Sequence, residues 1–187
     1  MREKGCLLCV SRTPKNALMW AHYADKHQGI VIGIDFDRIY GEGCEVPDFS
    51  MHRVNYTKRR PRENVLIDPL SDPRWNKVFS KNLCIKLMLW KYEQEFRQVF
   101  AHESLIWLQK NDLAIYKNSY TEMDSWFLKI NPFSIKEVFF GLTTSANLKS
   151  KIKELVSAAN FKHIKLFQMT ELNDIFGWRL IPAEIKS

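Results

Sequence analysis

The fold class is decided by residues 135–169, which read IKEVFFGLTTSANLKSKIKELVSAANFKHIKLFQM. Residues 135–141 form an apolar run with β-branched side chains, which predicts a buried strand. Residues 145–159 have the apolar spacing of an amphipathic helix, and Ser145 is suited to cap its first turn. Residues 163–169 predict a second strand, so the segment as a whole predicts a β-α-β unit.

In the rest of the chain, the sequence pattern predicts strands and helices in mixed order. The predicted strands are residues 6–11, 30–36, 51–57 and 95–101, and the predicted helices are residues 17–26 and about 73–90. Residues 95–101 also fit a helical stripe, but a helix continued through them would be unusually long, which favours the strand. Residues 178–181 are expected to form a last edge strand that Pro182 stops. We therefore expect a single α+β domain over residues 1–187, with a mixed sheet and a few helices.

The composition fits a globular domain without an export signal. The chain has 187 residues, of which 45% are hydrophobic and 13% aromatic, and this is enough for a substantial core. No apolar run is long enough to span a bilayer, and the apolar stretch near the N-terminus is too short for a signal peptide. We therefore expect a cytoplasmic protein with free thiols and no membrane partner. Cys6 and Cys9 have the spacing of half a zinc site, but no second pair follows, so no metal site is expected.

A net charge of +7 permits contact with nucleic acid or another anion. Much of the excess lies in one cluster, which consists of Arg53, Lys58, Arg59, Arg60 and Arg62. Such a cluster suits phosphate contacts, but it is also the usual pattern of a solvated loop. The sequence contains no glycine-rich phosphate loop, no Gly-x-Ser-x-Gly elbow and no His-Glu-x-x-His helix. Kinase, serine-hydrolase and dinucleotide-fold functions therefore have no support.

The tract LMWAHYADKHQG, residues 18–29, is rich in ring side chains. Its candidates for ligand contact are Trp20, His22, Tyr23 and His27. On a helix Trp20, Tyr23 and His27 share one face, which suits stacking on a planar ring. His22 is alternatively placed to pair with Asp25 as an acid/base couple. The structural alternative places Trp20 and Tyr23 in the core. His27 then caps carbonyls at the helix end, and Gly29 ends the helix with a positive φ.

A second motif, KYEQEFR at residues 91–97, combines carboxylates with a cation. On a strand Glu93, Glu95 and Arg97 point to one side. Two carboxylates so placed suit general-base work or electrostatic stabilisation of a developing cation, with Arg97 setting their charge. On a helix Glu93 and Arg97 would form an ordinary ion pair. An architectural Arg–Glu pair at a strand end is a further interpretation.

With these motifs, the chain resembles the bacterial family known as domain of unknown function 2971. The family pattern Trp-x-His-Tyr-Ala-x-x-His-x-Gly, followed by a strand, matches residues 20–29 and the run after them. A second pattern, Lys-x-x-x-Trp-x-Tyr-Glu-x-Glu-Phe-Arg, matches residues 86–97, and a tyrosine after a strand matches Tyr56. Members usually carry a further N-terminal portion. The resemblance therefore implies either a short form or a fragment that a partner chain would complete.

The order of the motifs is similar to that in ADP-ribosyltransferases, in which a glutamate on a late strand stabilises the ribosyl cation formed from NAD. This resemblance implies Glu95 or Glu93 as the catalytic acid, with His22 and Tyr23 as NAD contacts. The candidate catalytic residues are therefore Glu95, Glu93, Arg97 and His22, and the candidate ligand-binding residues are Trp20, Tyr23, His27 and Tyr56.

These patterns together favour an effector enzyme of the toxin or phage-defence type, acting on a nucleotide or nucleic acid, with NAD as the candidate cofactor. One alternative is a non-catalytic module that binds a ligand or nucleic acid. Another is an interaction domain in which the motifs are architectural. The enzymatic hypothesis predicts that the two motifs face each other around one cleft, where His22, Tyr56 and Glu95 converge.

Overall fold

The computed structural model describes the chain in segments, which are residues 6–40, 51–59, 82–100, 102–117, 125–175 and 177–185. The strands in chain order are β1 (Cys6–Ser11), β2 (Ile30–Ile34), β3 (Met51–Arg53), β4 (Asn55–Thr57), β5 (Ile85–Leu87), β6 (Glu95–Phe100), β7 (Ala114–Lys117), β8 (Ser125–Leu128), β9 (Ile135–Phe140), β10 (Lys165–Asp174) and β11 (Gly177–Ile185). The α-helices are α1 (Ala17–Tyr23), α2 (His102–Lys110) and α3 (Ala146–Ser157). Short 3-10 helices are formed by Phe36–Arg38, Met88–Glu93 and Pro132–Ser134. This mixture confirms the α+β class.

The chain divides into two compact units. The first unit is Met1–Arg12 with Pro47–Lys110, and the second unit is Thr13–Val46 with Asn111–Ser187. The two predicted motifs fall into different units, since residues 18–29 belong to the second unit and residues 91–97 to the first. A single domain over residues 1–187 stays a prediction.

The second unit is built on a four-stranded sheet in the order β11-β10-β9-β2. β9 and β10 are parallel and α3 connects them, while the other neighbouring strands are antiparallel. The predicted β-α-β unit is therefore confirmed. Its helix begins as expected, because the Ser145 hydroxyl accepts a hydrogen bond from the amide of Leu148 at 3.2 Å.

Alternating side chains of β9 enter two cores on opposite faces of this sheet. Phe139 packs on one face with Trp20 of α1 and Met169 of β10. Val138 packs on the other face with Val156 of α3. The helices α1 and α3 therefore cover opposite faces of the sheet, and each fully buried large apolar side chain contributes about 2 kcal/mol.

The last strand is longer than predicted. β11 lies at the edge of the sheet, as expected, but it continues through Pro182, which is paired with Met169. The prediction that Pro182 stops the strand was wrong, because one side of an edge strand does not need an N–H donor. Pro182 is therefore accommodated within the ladder.

The first unit holds a three-stranded antiparallel sheet in the order β1-β6-β3, and a separate parallel pair, β4 and β5. In the sheet, Cys9 and His52 lie on either side of Arg97. In the parallel pair, Tyr56 lies beside Lys86. Strand pairing thus brings together side chains that are far apart in sequence.

Two local predictions in the first unit were wrong. The strand predicted over residues 51–57 is interrupted at Val54, whose amide donates to the carbonyl of Glu95 at 3.0 Å, so β3 and β4 join different sheets. The helix predicted to end at Trp90 ends earlier, because Asn82 and Leu83 are helical but β5 and the 3-10 helix Met88–Glu93 take the place of its last part. Pairing with β4 overrides the helical spacing there. The strand predicted from residue 95 is confirmed as β6, and residues 60–81 lie outside the described residues.

Three elements have no counterpart in the sequence-based predictions: α2 and the antiparallel pair β7 and β8. Within the part of the chain that the structure describes, no helix combines the length and apolar character needed to cross a bilayer.

Candidate functional site

Four charged side chains of the first unit form one connected network. The Nζ of Lys86 donates to Oε2 of Glu93 in a short contact and to Oε2 of Glu95 at 3.1 Å. Arg97 donates to the same Glu95 carboxylate from Nε at 2.8 Å and from its terminal nitrogen at 3.0 Å. The other terminal nitrogen of Arg97 donates to the carbonyl of Leu83. Glu95 is therefore bound by two cations, one of which also binds Glu93.

Local backbone geometry explains why both carboxylates reach Lys86. Glu93 ends the 3-10 helix Met88–Glu93, and Glu95 begins β6. Between them Gln94 adopts the left-handed conformation, with φ of 46°. A non-glycine residue in this conformation costs on the order of 1 kcal/mol. The hydroxyl of Ser11 holds the same junction from β1 by donating to the carbonyl of Glu93 at 2.8 Å.

Among the described residues, the network is buried and its charges balance. Glu93 is 2% exposed and Glu95 is 6% exposed, and the two carboxylates face two cations, Lys86 and Arg97. Burying such a set costs desolvation energy that an apolar core would not cost. A contribution to stability therefore does not by itself explain why these charges are buried, and perturbed carboxylates of this kind are common at functional sites.

The network keeps Glu95 ionised. Burial alone would raise the pKa of Glu95, but hydrogen bonds from Arg97, Cys9 and Lys86 outweigh it and lower the pKa to about 2. In return, partial burial together with the hydrogen bond and negative charge of Glu95 raises the pKa of Cys9 to about 11. Cys9 is exposed at the surface of β1, yet its thiol keeps its proton near neutral pH. Glu95 is thus suited to electrostatic work, whereas proton transfer near neutral pH would need a much higher pKa.

Among the described residues, several donors of the network have no acceptor. The Tyr56 hydroxyl oxygen accepts from the amide of Glu95 at 2.8 Å, and no described residue accepts its proton. Burial is the first cause that raises the pKa of Tyr56, so the hydroxyl stays protonated. Lys86 uses two of its three N–H donors on carboxylates, and Arg97 uses three of five. A ligand that complements this site would therefore offer acceptor atoms, such as phosphate oxygens.

The aromatic motif of the second unit is organised by Trp20. Trp20 is 1% exposed, and its indole N–H donates to the carbonyl of Pro14 at 2.6 Å. The ring of His27 stacks on it, with centroids 6.2 Å apart and an interplanar angle of 11°. Trp20 is therefore a core residue, as the structural interpretation predicted.

The same motif departs from the predicted helix. α1 ends at Tyr23, and residues Asp25, Lys26 and His27 all have positive φ, at 45°, 52° and 71°. This left-handed turn, rather than helical spacing, brings His27 onto Trp20. The predicted common face of Trp20, Tyr23 and His27 was therefore wrong, and the left-handed conformation expected at Gly29 lies in the preceding residues.

The left-handed turn packs against the end of β9. The carbonyl of His27 accepts from the amide of Thr143 at 3.1 Å, and the carbonyl of Gly29 accepts from the hydroxyl of Thr144 at 2.8 Å. Gly141 lies directly against His27, with no room for a side chain. The motif residues His27 and Gly29 therefore have an architectural role in joining α1 to the β-α-β unit.

Two motif residues point to solvent. Tyr23 is 65% exposed, so the prediction that it belongs to the core was wrong. His22 is also exposed and meets the Tyr23 ring edge-on, with centroids 6.1 Å apart. The acid/base couple of His22 with Asp25 stays a prediction. Whether these residues face Glu95, in the other unit, stays a prediction.

Of the basic cluster, Arg53, Lys58 and Arg59 are described and exposed. Among the described residues no carboxylate pairs with any of them. Arg60 and Arg62 lie outside the described residues. The exposed part of the cluster thus remains available to an anionic partner.

Sequence reasoning missed the thiol that contacts Glu95. Cys9 reaches Arg97 and Glu95 through the antiparallel pairing of β1 with β6, for which the sequence has no local signal. Cys6, Cys9 and Cys84 are free thiols, as predicted, and Cys44 lies outside the described residues. Within the described ranges no group of three or more His, Cys, Asp or Glu side chains is placed to hold a metal ion.

Among protein families, the chain matches the one described as "Protein of unknown function (DUF2971)" over residues 19–98. This match covers less than half of the 187 residues, but it includes most of the first motif and the whole of the second. The family resemblance is therefore confirmed over this segment. No curated protein and no solved structure matches the chain.

Proposed function

Since residues 19–98 match the DUF2971 family, whose description carries no activity, we propose a function from the geometry of the first unit: the chain acts on a nucleotide or nucleic acid at the Glu95 network. The observation that carries this proposal is the hydrogen-bond inventory. Among the described residues, Tyr56, Lys86 and Arg97 have donors without an acceptor, and they lie beside a carboxylate that is ionised near neutral pH. Phosphate oxygens are acceptors and would complement these donors.

The enzymatic form of the proposal is ADP-ribosyl transfer by an effector of the toxin or phage-defence type, with NAD as the substrate that supplies the ribosyl group. In that reaction the bond between ribose and nicotinamide breaks, the electron pair leaves with nicotinamide, and an acceptor nucleophile bonds to the ribose carbon. The ribose carries positive charge in the transition state. A carboxylate with a pKa of about 2 is available to stabilise that charge at any physiological pH.

The geometry supports different roles for the candidate residues. Glu95 is covered by Lys86 and Arg97, so a substrate would meet those cations and Tyr56 before the carboxylate. Glu93 contacts Lys86 and holds it in place. We therefore propose Glu95 as the catalytic carboxylate and Glu93 as a positioning residue.

Among the aromatic motif residues, the exposed side chains are the better ligand contacts. We propose His22 and Tyr23 as contacts with a planar ring of a ligand, because both are exposed. Trp20 is fully buried, and His27 stacks on it. We propose that these two residues support the exposed pair.

The test compares wild-type protein with Glu95→Gln, which keeps the side-chain shape and removes the charge. NAD binding should change by only a few-fold, while NAD turnover should fall by about a hundredfold or more, as for loss of one transition-state electrostatic contact. Glu154→Gln, on an exposed position of α3, is the matched control and should leave both unchanged. If wild-type protein neither binds nor consumes NAD, the enzymatic form is refuted.

A second candidate function is nucleic-acid binding without catalysis. It is favoured by the exposed cations Arg53, Lys58 and Arg59, for which no described carboxylate is a partner. Replacing Lys58 and Arg59 together by glutamine should weaken RNA binding and reduce its salt dependence. Lys151→Gln on α3 is the control for loss of charge alone. Equal weakening in both variants would mean that the cluster is not a specific contact.

A further inference from the structure

The first unit exposes four consecutive apolar residues. Leu87 is 36% exposed, Met88 40%, Leu89 81% and Trp90 38%. They follow one another from the end of β5 into the 3-10 helix Met88–Glu93. An exposed apolar run of this length is costly for solubility unless it has a function.

Strand pairing places free cations beside this run. β4 and β5 are parallel, and Thr57 is paired with Leu87. Lys58 and Arg59 therefore leave β4 at the same end at which Met88 leaves β5. Lys58, Arg59 and Lys91 are exposed, and none of them has a carboxylate partner among the described residues. An apolar centre is thus bordered by positive charge.

We propose that this surface, which we call the amphipathic patch (residues 87–91 with Lys58 and Arg59), binds the surface of an anionic lipid bilayer. Leu89 is the most exposed of the apolar residues, and it would enter the boundary between headgroups and acyl chains. Lys58, Arg59 and Lys91 would contact the anionic headgroups. Trp90 has the amphipathic ring that is typical of the membrane interface.

The chemistry of the patch favours a bilayer over other partners. Three of the four apolar residues are aliphatic, whereas nucleic-acid bases stack on aromatic or guanidinium planes. Four residues are also far fewer than the roughly 20 per side that a stable protein interface uses. A bilayer needs only a few inserted side chains and an electrostatic attraction. The expectation of no membrane partner was based on the lack of a spanning segment, and binding to a bilayer surface needs no such segment.

The test is co-sedimentation of the full chain with vesicles of phosphatidylcholine alone, or of phosphatidylcholine mixed with phosphatidylserine. Wild-type protein should sediment with the anionic vesicles and not with the neutral ones. Leu89→Ser should weaken this binding about tenfold, as expected for one partly inserted leucine. Leu155→Ser is the matched control, because Leu155 is 61% exposed on α3 in the other unit, and it should bind like wild type. Replacing both Lys58 and Arg59 by glutamine in the wild-type chain should weaken vesicle binding by a factor of about ten or more.

Three results would overturn the proposal. Wild-type protein that stays in solution with anionic vesicles has no such surface. Equal binding by Leu89→Ser and Leu155→Ser would exclude the patch. If Leu89→Ser reduces RNA binding or self-association as strongly as vesicle binding, the patch serves one of those partners instead.

Discussion

A single methyl group added at Gly141 should destabilise the second unit strongly. A Cβ atom at this position would lie well inside contact distance of the His27 carbonyl oxygen, and would be 2.7 Å from the carbonyl carbon and 3.1 Å from Cα of the same residue. All three atoms belong to the backbone, so no side-chain rotation relieves the clash. Either the left-handed turn or the end of β9 must move in Gly141→Ala.

The hydrogen bonds around Gly141 set the size of the effect. The Gly141 amide donates to the Gly29 carbonyl at 3.2 Å, and the amide of Thr143 donates to the carbonyl of His27 at 3.1 Å. Overpacking of this kind costs about 1 to 3 kcal/mol, and each weakened hydrogen bond adds about 1 kcal/mol. Because alanine lowers the conformational entropy of the unfolded chain, it offsets about 0.5 to 1 kcal/mol of this loss. We expect a net loss of about 3 kcal/mol in the free energy of unfolding.

The assay is urea unfolding followed by circular dichroism, together with a thermal melt. For a chain of this length, a loss of about 3 kcal/mol corresponds to a fall in Tm of about 10 °C. Gly33→Ala is the matched control in the same unit. Its Cβ would meet Glu137, at 3.0 Å from Oε2 and 3.1 Å from Cβ. Rotation of the Glu137 side chain relieves the first contact, and a shift of a few tenths of an ångström relieves the second. We expect Gly33→Ala to change the unfolding free energy by no more than about 1 kcal/mol.

The comparison of the two variants decides whether the contact is real. If Gly141→Ala unfolds within about 1 kcal/mol of wild type, the close approach to His27 does not exist in solution. If Gly33→Ala loses as much stability as Gly141→Ala, the loss reflects glycine replacement in general. Either result would refute the packing of the left-handed turn against β9.

Three further predictions concern charge and backbone strain. Because the folded pKa of Glu95 is about 2, below its ordinary value of 4.5, its contribution is present above pH 4.5 and is lost as the pH falls towards 2. Acid titration of stability should therefore show a loss on the order of 3 kcal/mol in wild type that is reduced in Glu95→Gln. Cys9, with a pKa of about 11, should react slowly with iodoacetamide at pH 8, and Glu95→Gln should speed the reaction by removing a cause of the raised pKa. Lys26→Gly, at a φ of 52°, should leave the free energy of unfolding unchanged or raise it by up to about 1 kcal/mol. Lys151→Gly, inside α3, should lower it by about 1 kcal/mol. Equal losses in the two variants, measured by urea unfolding, would contradict the left-handed turn.

Features that depend on neighbours in sequence could be predicted without the structure. The apolar run of β9, the Ser145 cap and the spacing of α3 each need only a few consecutive residues, so the β-α-β unit was predicted correctly. The same is true of β1. Residues of β6 also fitted a helical stripe, and the strand was predicted because a helix continued through them would be unusually long. The resemblance to the DUF2971 family over residues 19–98 was also evident, because both motifs are contiguous in the sequence.

Features that depend on pairing between distant strands could not be predicted. The contact of Cys9 with Glu95 exists because β1 and β6 pair in one register, and a shift by one residue would turn Cys9 to the other face. Lys86 meets both glutamates because β4 holds its strand, although the local spacing favoured a helix.

For the aromatic motif at residues 18–29 and for the chemistry of Glu95, the sequence determined which residues are present, and the tertiary structure decided what they do. Trp20 and Tyr23 looked alike in the sequence, but the sheet buries one and leaves the other in solvent, because α1 ends in a left-handed turn. Glu95 was one of two carboxylates that looked equally able to transfer a proton. The cations around it, brought from other strands, hold its pKa at about 2 and leave it an electrostatic role, because a charge already stabilised by two partners binds a proton weakly.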